Sequence, residues 1–156
     1  MEYRSLATEV VWHGGAADLF TALLPERHVK IDLQDSFVVR VVSAELALAA
    51  RGFPKHVTTE LTIELDDGSL PEASGTFVLR VRDGRGEVTN ASAASAASRA
   101  RGPRVTLDER GLAALYTGYL RADVLARAEW LDADTDTKAL LDTLFVGQAP
   151  AMRDMF

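Results

Sequence analysis

Apolar positions recur along the chain at two different periods, and their order predicts the elements. Leu6, Thr8, Val10 and Trp12 fall on one side at period two, which predicts a strand over residues 6–12. His13-Gly14-Gly15 breaks it. Residues 16–24 predict a short helix, with Leu19, Phe20, Leu23 and Leu24 at helical spacing and Pro25 as the stop. Val29, Ile31 and Leu33 alternate with Lys30 and Asp32 as in a half-buried strand. Residues 37–42 form an apolar run interrupted by Arg40, the pattern of a buried strand.

Ser43 then reads as the N-cap of a helix over residues 44–51, which Gly52 ends and Pro54 keeps from continuing. Val57, Thr59, Leu61, Ile63 and Leu65 share one face of a strand that the turn Asp66-Asp67-Gly68-Ser69 closes. Residues 75–82 alternate again, with Phe77, Leu79 and Val81 inward and Arg80 and Arg82 outward. Asp83-Gly84 is a hairpin signal, and residues 87–90 make the third strand of this meander. Residues 91–100 (ASAASAASRA) bury little area and read as a loop or weak helix.

After a short strand at residues 104–107, Thr106-Leu107-Asp108-Glu109 fits a capping box. The helix behind it carries Leu112, Leu115, Tyr116, Tyr119 and Leu120 on one face. Residues 122–128 predict a second helix. Asp134-Thr135-Asp136 starts a third, which buries Leu140, Leu141, Leu144 and Phe145 before Gly147. The predicted class is α+β, an antiparallel sheet with helices packed on one face.

The formal net charge of -6 argues against nucleic acid as the main partner, because phosphate binding needs clustered Lys and Arg. With no Cys, neither a disulfide framework nor a thiolate metal site is possible. No stretch approaches the roughly 20 apolar residues of a membrane span, and no signal peptide is read at the N-terminus. A soluble, cytoplasmic protein with no membrane partner is the expectation.

The sequence carries no Gly-x-Ser-x-Gly, no Gly-x-x-x-x-Gly-Lys, no Gly-x-Gly-x-x-Gly and no His-Glu-x-x-His. His13, His28 and His56 are far apart and read as surface residues, so no metal site is expected. Asp66-Asp67 sits in a turn, where Asp is favoured for backbone reasons. Asp132, Asp134 and Asp136 have the spacing of a cation loop, but its Gly and closing Glu are missing, and helix capping is the favoured reading. The Leu112–Leu120 stripe reads as core packing in preference to a lipid cavity. Tyr116 and Tyr119 each need a hydroxyl partner if buried. The chain ends on Met152-Arg153-Asp154-Met155-Phe156, an apolar tail closed by an α-carboxylate, which points to a tail that docks.

Several strings together resemble a known module. Val39-Arg40-Val41-Val42-Ser43-Ala44-Glu45-Leu46-Ala47-Leu48-Ala49-Ala50-Arg51-Gly52-Phe53-Pro54 resembles the opening of the sterol-carrier-protein-2-like domain that ends the Eis-like (enhanced intracellular survival) N-acetyltransferases. Leu112-Ala113-Ala114-Leu115-Tyr116-Thr117-Gly118, followed by Leu125-Ala126-Arg127-Ala128, resembles the same family's helix pair. Leu144-Phe145, Pro150 and terminal Phe156 resemble its end. Residues 1–35 look like the tail of a preceding acetyltransferase-like (GNAT) domain, and residues 36–156 like the sterol-carrier-like domain. Two departures from the family pattern stand out: Glu129 where Gly is usual, and Met152 and Met155 in the tail.

The resemblance implies an acetyl-CoA-dependent transfer of acetyl to amines, of aminoglycosides or of lysine side chains, by the parent protein. It implies that the C-terminal carboxylate, here that of Phe156, reaches into the acetyltransferase active site as general base. A carboxylate withdrawn from water has a raised pKa, which suits that role. It also implies partnership with preceding GNAT domains of the same or another chain, and a homo-oligomer. No pyrophosphate-binding loop of the type Arg/Gln-x-x-Gly-x-Gly/Ala occurs in this sequence, so acetyl-CoA is expected to bind the parent protein and not this chain, which alone should be inert. Two other readings remain open here: a free-standing hydrophobic-ligand or lipid carrier, and an oligomerisation or structural domain.

Overall fold

Ser43 has extended backbone and starts the first helix. Its Oγ accepts a hydrogen bond from the Leu46 N–H at 3.3 Å, so helix α1 runs Ala44–Ala50 as the cap predicts. Ala44 and Leu48, one turn apart, are its buried positions. A computed structural model describes residues 11–15, 18–19, 23, 30–32, 37–91, 102–147 and 150–151. The chain divides into two units, Met1–Phe37 with Ala149–Phe156, and Val38–Gln148.

Among the described residues of the larger unit five strands form one sheet: β1 Thr59–Asp66, β2 Gly75–Arg82, β3 Arg85–Ala91, β4 Arg104–Asp108 and β5 Leu131–Asp132, in the order β3-β2-β1-β4-β5. Asp83 (φ 53) and Gly84 (φ 80) both adopt the left-handed conformation between β2 and β3, which is why this dipeptide makes the tight hairpin. Between β1 and β2 the connection is longer and holds a short 3-10 turn at Pro71–Ala73.

The α+β class expected from the sequence is the one observed, and the sheet is mostly antiparallel. Strand β4 departs from that rule: it pairs parallel to β1, with Ile63 opposite Val105 and Leu65 opposite Leu107. The other edge of β1 is taken by β2, and the connection from Ala91 to Arg104 is long enough for a parallel crossover. The two-residue β5 is too short to have a periodicity of its own.

Helices α2 Glu109–Thr117, α3 Ala122–Arg127 and α4 Thr135–Leu144 follow β4. One face of the sheet (Leu61, Ile63, Leu65, Leu79, Val81, Val105) shares a single apolar cluster with Leu48 of α1, Leu112 and Leu115 of α2, Leu125 of α3 and Leu141 of α4. Helices α1 to α4 therefore gather on that face. On the opposite face Arg80 pairs with Glu60 at 2.7 Å and Arg104 with Glu64 at 2.7 Å. Val78 and Thr62, cross-strand neighbours there, are also buried.

Several expectations need correction. Residues 37–42 form no strand, and only Val41 among them is buried. A strand exists by pairing, and among the described residues no sheet edge receives this segment. Val11 and Trp12, and Lys30 to Asp32, are likewise not in strands; the rest of those two predicted elements lies outside the described residues. Leu19 and Leu23 are helical, while most of the 16–24 helix and nearly all of the 91–100 stretch lie outside them too.

The cap of α2 is Asp108, whose Oδ1 accepts from the Gly111 N–H at 2.7 Å, and not Thr106. Thr106 is held in β4, where its Oγ1 donates to Glu64. Helix α2 also stops earlier than its stripe predicts: Gly118 turns left-handed (φ 72), so Tyr119 and Leu120 lie beyond it. A Cβ on Gly111 would collide with the Trp130 carbonyl, which explains a glycine inside this helix.

Candidate functional site

The residue expected to act chemically, Phe156, lies outside the described residues, as do Met152, Met155 and His28. His13 and His56 are exposed. Among the described residues no cluster of His, Asp and Glu could hold a metal ion, and no helix is long and apolar enough to cross a membrane. Of the acidic triplet, Asp134 caps α4, its Oδ1 accepting from the Thr137 N–H at 2.6 Å. That bond, and a further one from the Thr137 side chain, hold its carboxyl below the usual range. Asp132 ends β5 and Asp136 stands in the first turn of α4, so the cation-loop spacing resolves into sheet and cap.

The turn at Asp66-Asp67 separates two carboxylates sharply. Asp66 is exposed, whereas the Asp67 side chain is 1% exposed. Its Oδ1 accepts from the backbone N–H of Ser69 at 3.1 Å and of Leu70 at 2.7 Å. The Asp67 N–H donates to Ser74 Oγ at 2.8 Å. Arg40 completes the set, its Nη2 donating to both carboxylate oxygens at 2.7 Å. Burial raises the Asp67 pKa, but the Arg40 bond and the two backbone bonds outweigh it and leave the carboxyl below its ordinary value. A lone charge within the apolar run at 37–42 was the sequence signal for this pair, since a charge in such a run needs a partner.

A second polar knot lies where α1, α2 and α4 end. Arg51, the residue after α1, donates from Nη1 to the carbonyl of Tyr116 at 2.5 Å. Its guanidinium carbon lies 5.3 Å from the centroid of the Tyr116 ring and 5.2 Å from that of Phe145. Phe53 meets Phe145 edge-on at 6.0 Å. Burial lowers the Arg51 pKa, with Tyr116 opposing, and the Arg51 Nε has no hydrogen-bond partner. The predicted stripe thus splits. Leu112 and Leu115 are core, Tyr116 is half-buried beside a cation, and Tyr119 is 63% exposed. Arg51, Phe53 and Phe145 fill space that a lipid cavity under this end of the helix would need.

Pro54, His56, Arg121, Ala139, Asp142, Thr143 and Val146 line an open cleft of about 490 Å³. Three of its polar side chains, Asp142, Arg121 and Thr143, are already engaged. Asp142 accepts from the Ala122 N–H at 2.7 Å and pairs with Arg121 at 2.7 Å, while Thr143 donates to the Ala139 carbonyl. The cleft offers a shallow, mainly apolar surface.

Unit Met1–Phe37 with Ala149–Phe156 has a different character. Trp12 Nε1 donates to Asp18 at 3.0 Å, and the Asp18 N–H returns to the Gly15 carbonyl. Val11, Trp12, Leu19, Leu23 and Ile31 are all more than half exposed.

Comparison with known proteins gives this arrangement relatives. The sequence profile of the sterol carrier protein domain matches residues 44–153, well over half of the chain. A GCN5-related N-acetyltransferase from Anabaena variabilis is similar over 92% of this chain and 34% of its own, at 34% identity and a TM-score of 0.79. One from Kribbella flavida is similar over 75% of this chain and 28% of its own, at 36% identity and a TM-score of 0.62. Eis1 from Mycobacterium abscessus shares 26% identity over 75% of this chain and 27% of its own, with a TM-score of 0.57. The chain spans about a third or less of the length of these structures. No curated protein matches it.

Proposed function

This chain belongs to the sterol carrier protein domain family, and from that premise we propose that it serves as the C-terminal part of a GCN5-related, Eis-like N-acetyltransferase. The observation that carries the proposal is the likeness of nearly the whole chain to one third of such an enzyme. The large apolar residues exposed in the N-terminal unit support it, because an isolated unit of that size gains nothing by presenting Trp12, Leu19, Leu23 and Ile31 to water. They fit a segment that completes a preceding acetyltransferase domain, residues 1–35 being its tail.

In that reading acetyl-CoA, bound by the full-length protein, supplies the acetyl group. The acceptor is an amine, of an aminoglycoside or a lysine side chain. The α-carboxylate of Phe156 would take the amine proton as the nitrogen bonds to the acetyl carbon and displaces coenzyme A with its sulfur, and the apolar ring would anchor the carboxylate. The sterol-carrier-like unit then acts as the base from which the tail reaches. Homo-oligomerisation and a cytoplasmic setting go with the same reading.

The experiment is deletion of Phe156 in the full-length protein, followed by acetyl transfer to an amine. General-base catalysis contributes about 100-fold or more, so kcat should fall by at least that factor with the unfolding midpoint unchanged. Unaltered turnover would reject the role of the carboxylate. A lipid-carrier reading has less support, since the described cleft is open and the interior beside α2 is occupied by Arg51, Phe53 and Phe145.

A further inference from the structure

Residues 38–42 lead into helix α1, and little apolar contact holds them. Val38 is 97% exposed, Val39 and Val42 are exposed as well, and only Val41 is buried. Among the described residues no backbone hydrogen bond ties this segment to the sheet. One strong attachment remains, between Arg40 and Asp67. Asp67 is fixed by its own turn through the Ser69 and Leu70 N–H groups and through Ser74, independently of Arg40. The Asp67 side chain is 1% exposed and that of Arg40 36%, so the pair is part-buried and is weakened by water less than a pair with both ends on the surface. Leaving the carboxylate unpaired would strand a buried charge, which makes release of Arg40 costly.

We infer that the Arg40–Asp67 pair is a latch that fixes the path of the chain into the sheet unit, and that both are positioning residues for acetyl transfer in the full-length protein. The positioning role rests on the proposed function. A misplacement of about 1 Å far from the reacting atoms is enough to cost about 100-fold in rate, so loosening the junction before α1 reaches the chemistry through geometry alone.

The test removes both charges and keeps the shapes. Arg40→Met retains the aliphatic stem, and in Asp67→Asn the Oδ1 still accepts from Ser69 and Leu70. In this chain, elastase cleavage after the valines of residues 38–42 should speed up at least tenfold in the double variant, with the thermal midpoint of the sheet unit nearly unchanged. An unchanged cleavage rate overturns the latch. In the full-length protein the same variant should lower kcat at least tenfold and leave the KM for acetyl-CoA unaltered, and an unaltered kcat overturns the positioning role. Arg40→Lys should behave as wild type in both assays, because a single nitrogen already serves both oxygens. Should the double variant fail to fold, Arg40→Gln carries the same expectations for cleavage and kcat, with a lowered thermal midpoint because Asp67 keeps its buried charge. A wild-type protein that transfers no acetyl group would defeat the function reading, while the elastase comparison would still decide the latch.

Discussion

Arg51 donates from Nη1 to the backbone carbonyl of Tyr116 at 2.5 Å, joining the end of α1 to the last turn of α2 across 65 positions of sequence. The bond satisfies a carbonyl that the helix leaves unpaired at its C-terminus, and a cation suits that end of the helix dipole. Stacking on Tyr116 and Phe145 brings α4 into the same contact.

Truncating Arg51 removes the hydrogen bond and both ring contacts together. A hydrogen bond to a charged group is worth about 1.5–3 kcal/mol, and a half-buried cation–ring contact about 1 kcal/mol. Arg51→Ala should therefore lower unfolding stability by about 3 kcal/mol, and Arg51→Met by less, because its stem still covers Phe145. Urea denaturation checks this. A loss below about 1 kcal/mol for the alanine variant would mean the cation contributes little beyond filling space.

Glu129 adopts φ 61 two residues after α3 ends, a conformation that costs a residue with a Cβ. It is exposed. Glu129→Gly should raise stability by about 0.5–1 kcal/mol, or about 3 °C in thermal midpoint. A lower midpoint would show that the lost entropy of the glycine chain outweighs the relief of strain.

Two carboxylates tie stability to acid pH. Asp67 and Asp134 both have folded-state pKa values below the ordinary one, Asp67 through Arg40 and its turn against an opposing burial effect, and Asp134 through Thr137. For a depressed carboxyl the contribution is fully present above the unfolded value of about 3.9 and is lost as pH falls through the folded value. Their contribution should thus be level above about pH 5 and decline as the pH falls below about 4. Asp67→Asn should flatten that acid limb while lowering stability at neutral pH. Urea midpoints of wild type and variant that fall in parallel on acidification would exclude Asp67 as the source.

The hairpin of β2 and β3 was legible because Asp83-Gly84 supplies the two left-handed residues the turn needs, and because Phe77, Leu79 and Val81 alternate with arginines. The cap of α1 was legible at Ser43 and the start of α4 at Asp134, since capping is a contact within three residues. The segment at 37–42 carries the composition of a strand without forming one. Strand formation needs a neighbour that local sequence does not specify. Asp67 was read for its backbone preference, and that preference is real. Its burial against Arg40, 27 positions away, depends on how the β1–β2 connection folds over. The same holds for Thr106, a plausible cap by spacing, which β4 claimed for the sheet because Glu64 stands beside it.

By itself the sequence determined the class of the fold, the strands with clean alternation, the helix caps and the resemblance to the sterol-carrier-like end of an acetyltransferase. Each of these follows from contacts within a few residues or from an ordered set of local strings. Only the tertiary structure decided that β4 runs parallel to β1, that Arg51 rather than a ligand occupies the space between Tyr116 and Phe145, and that Arg40 is held by a buried carboxylate. Those outcomes join residues tens of positions apart. Their energies come from desolvation and pairing, which exist only once the sheet has brought the partners together.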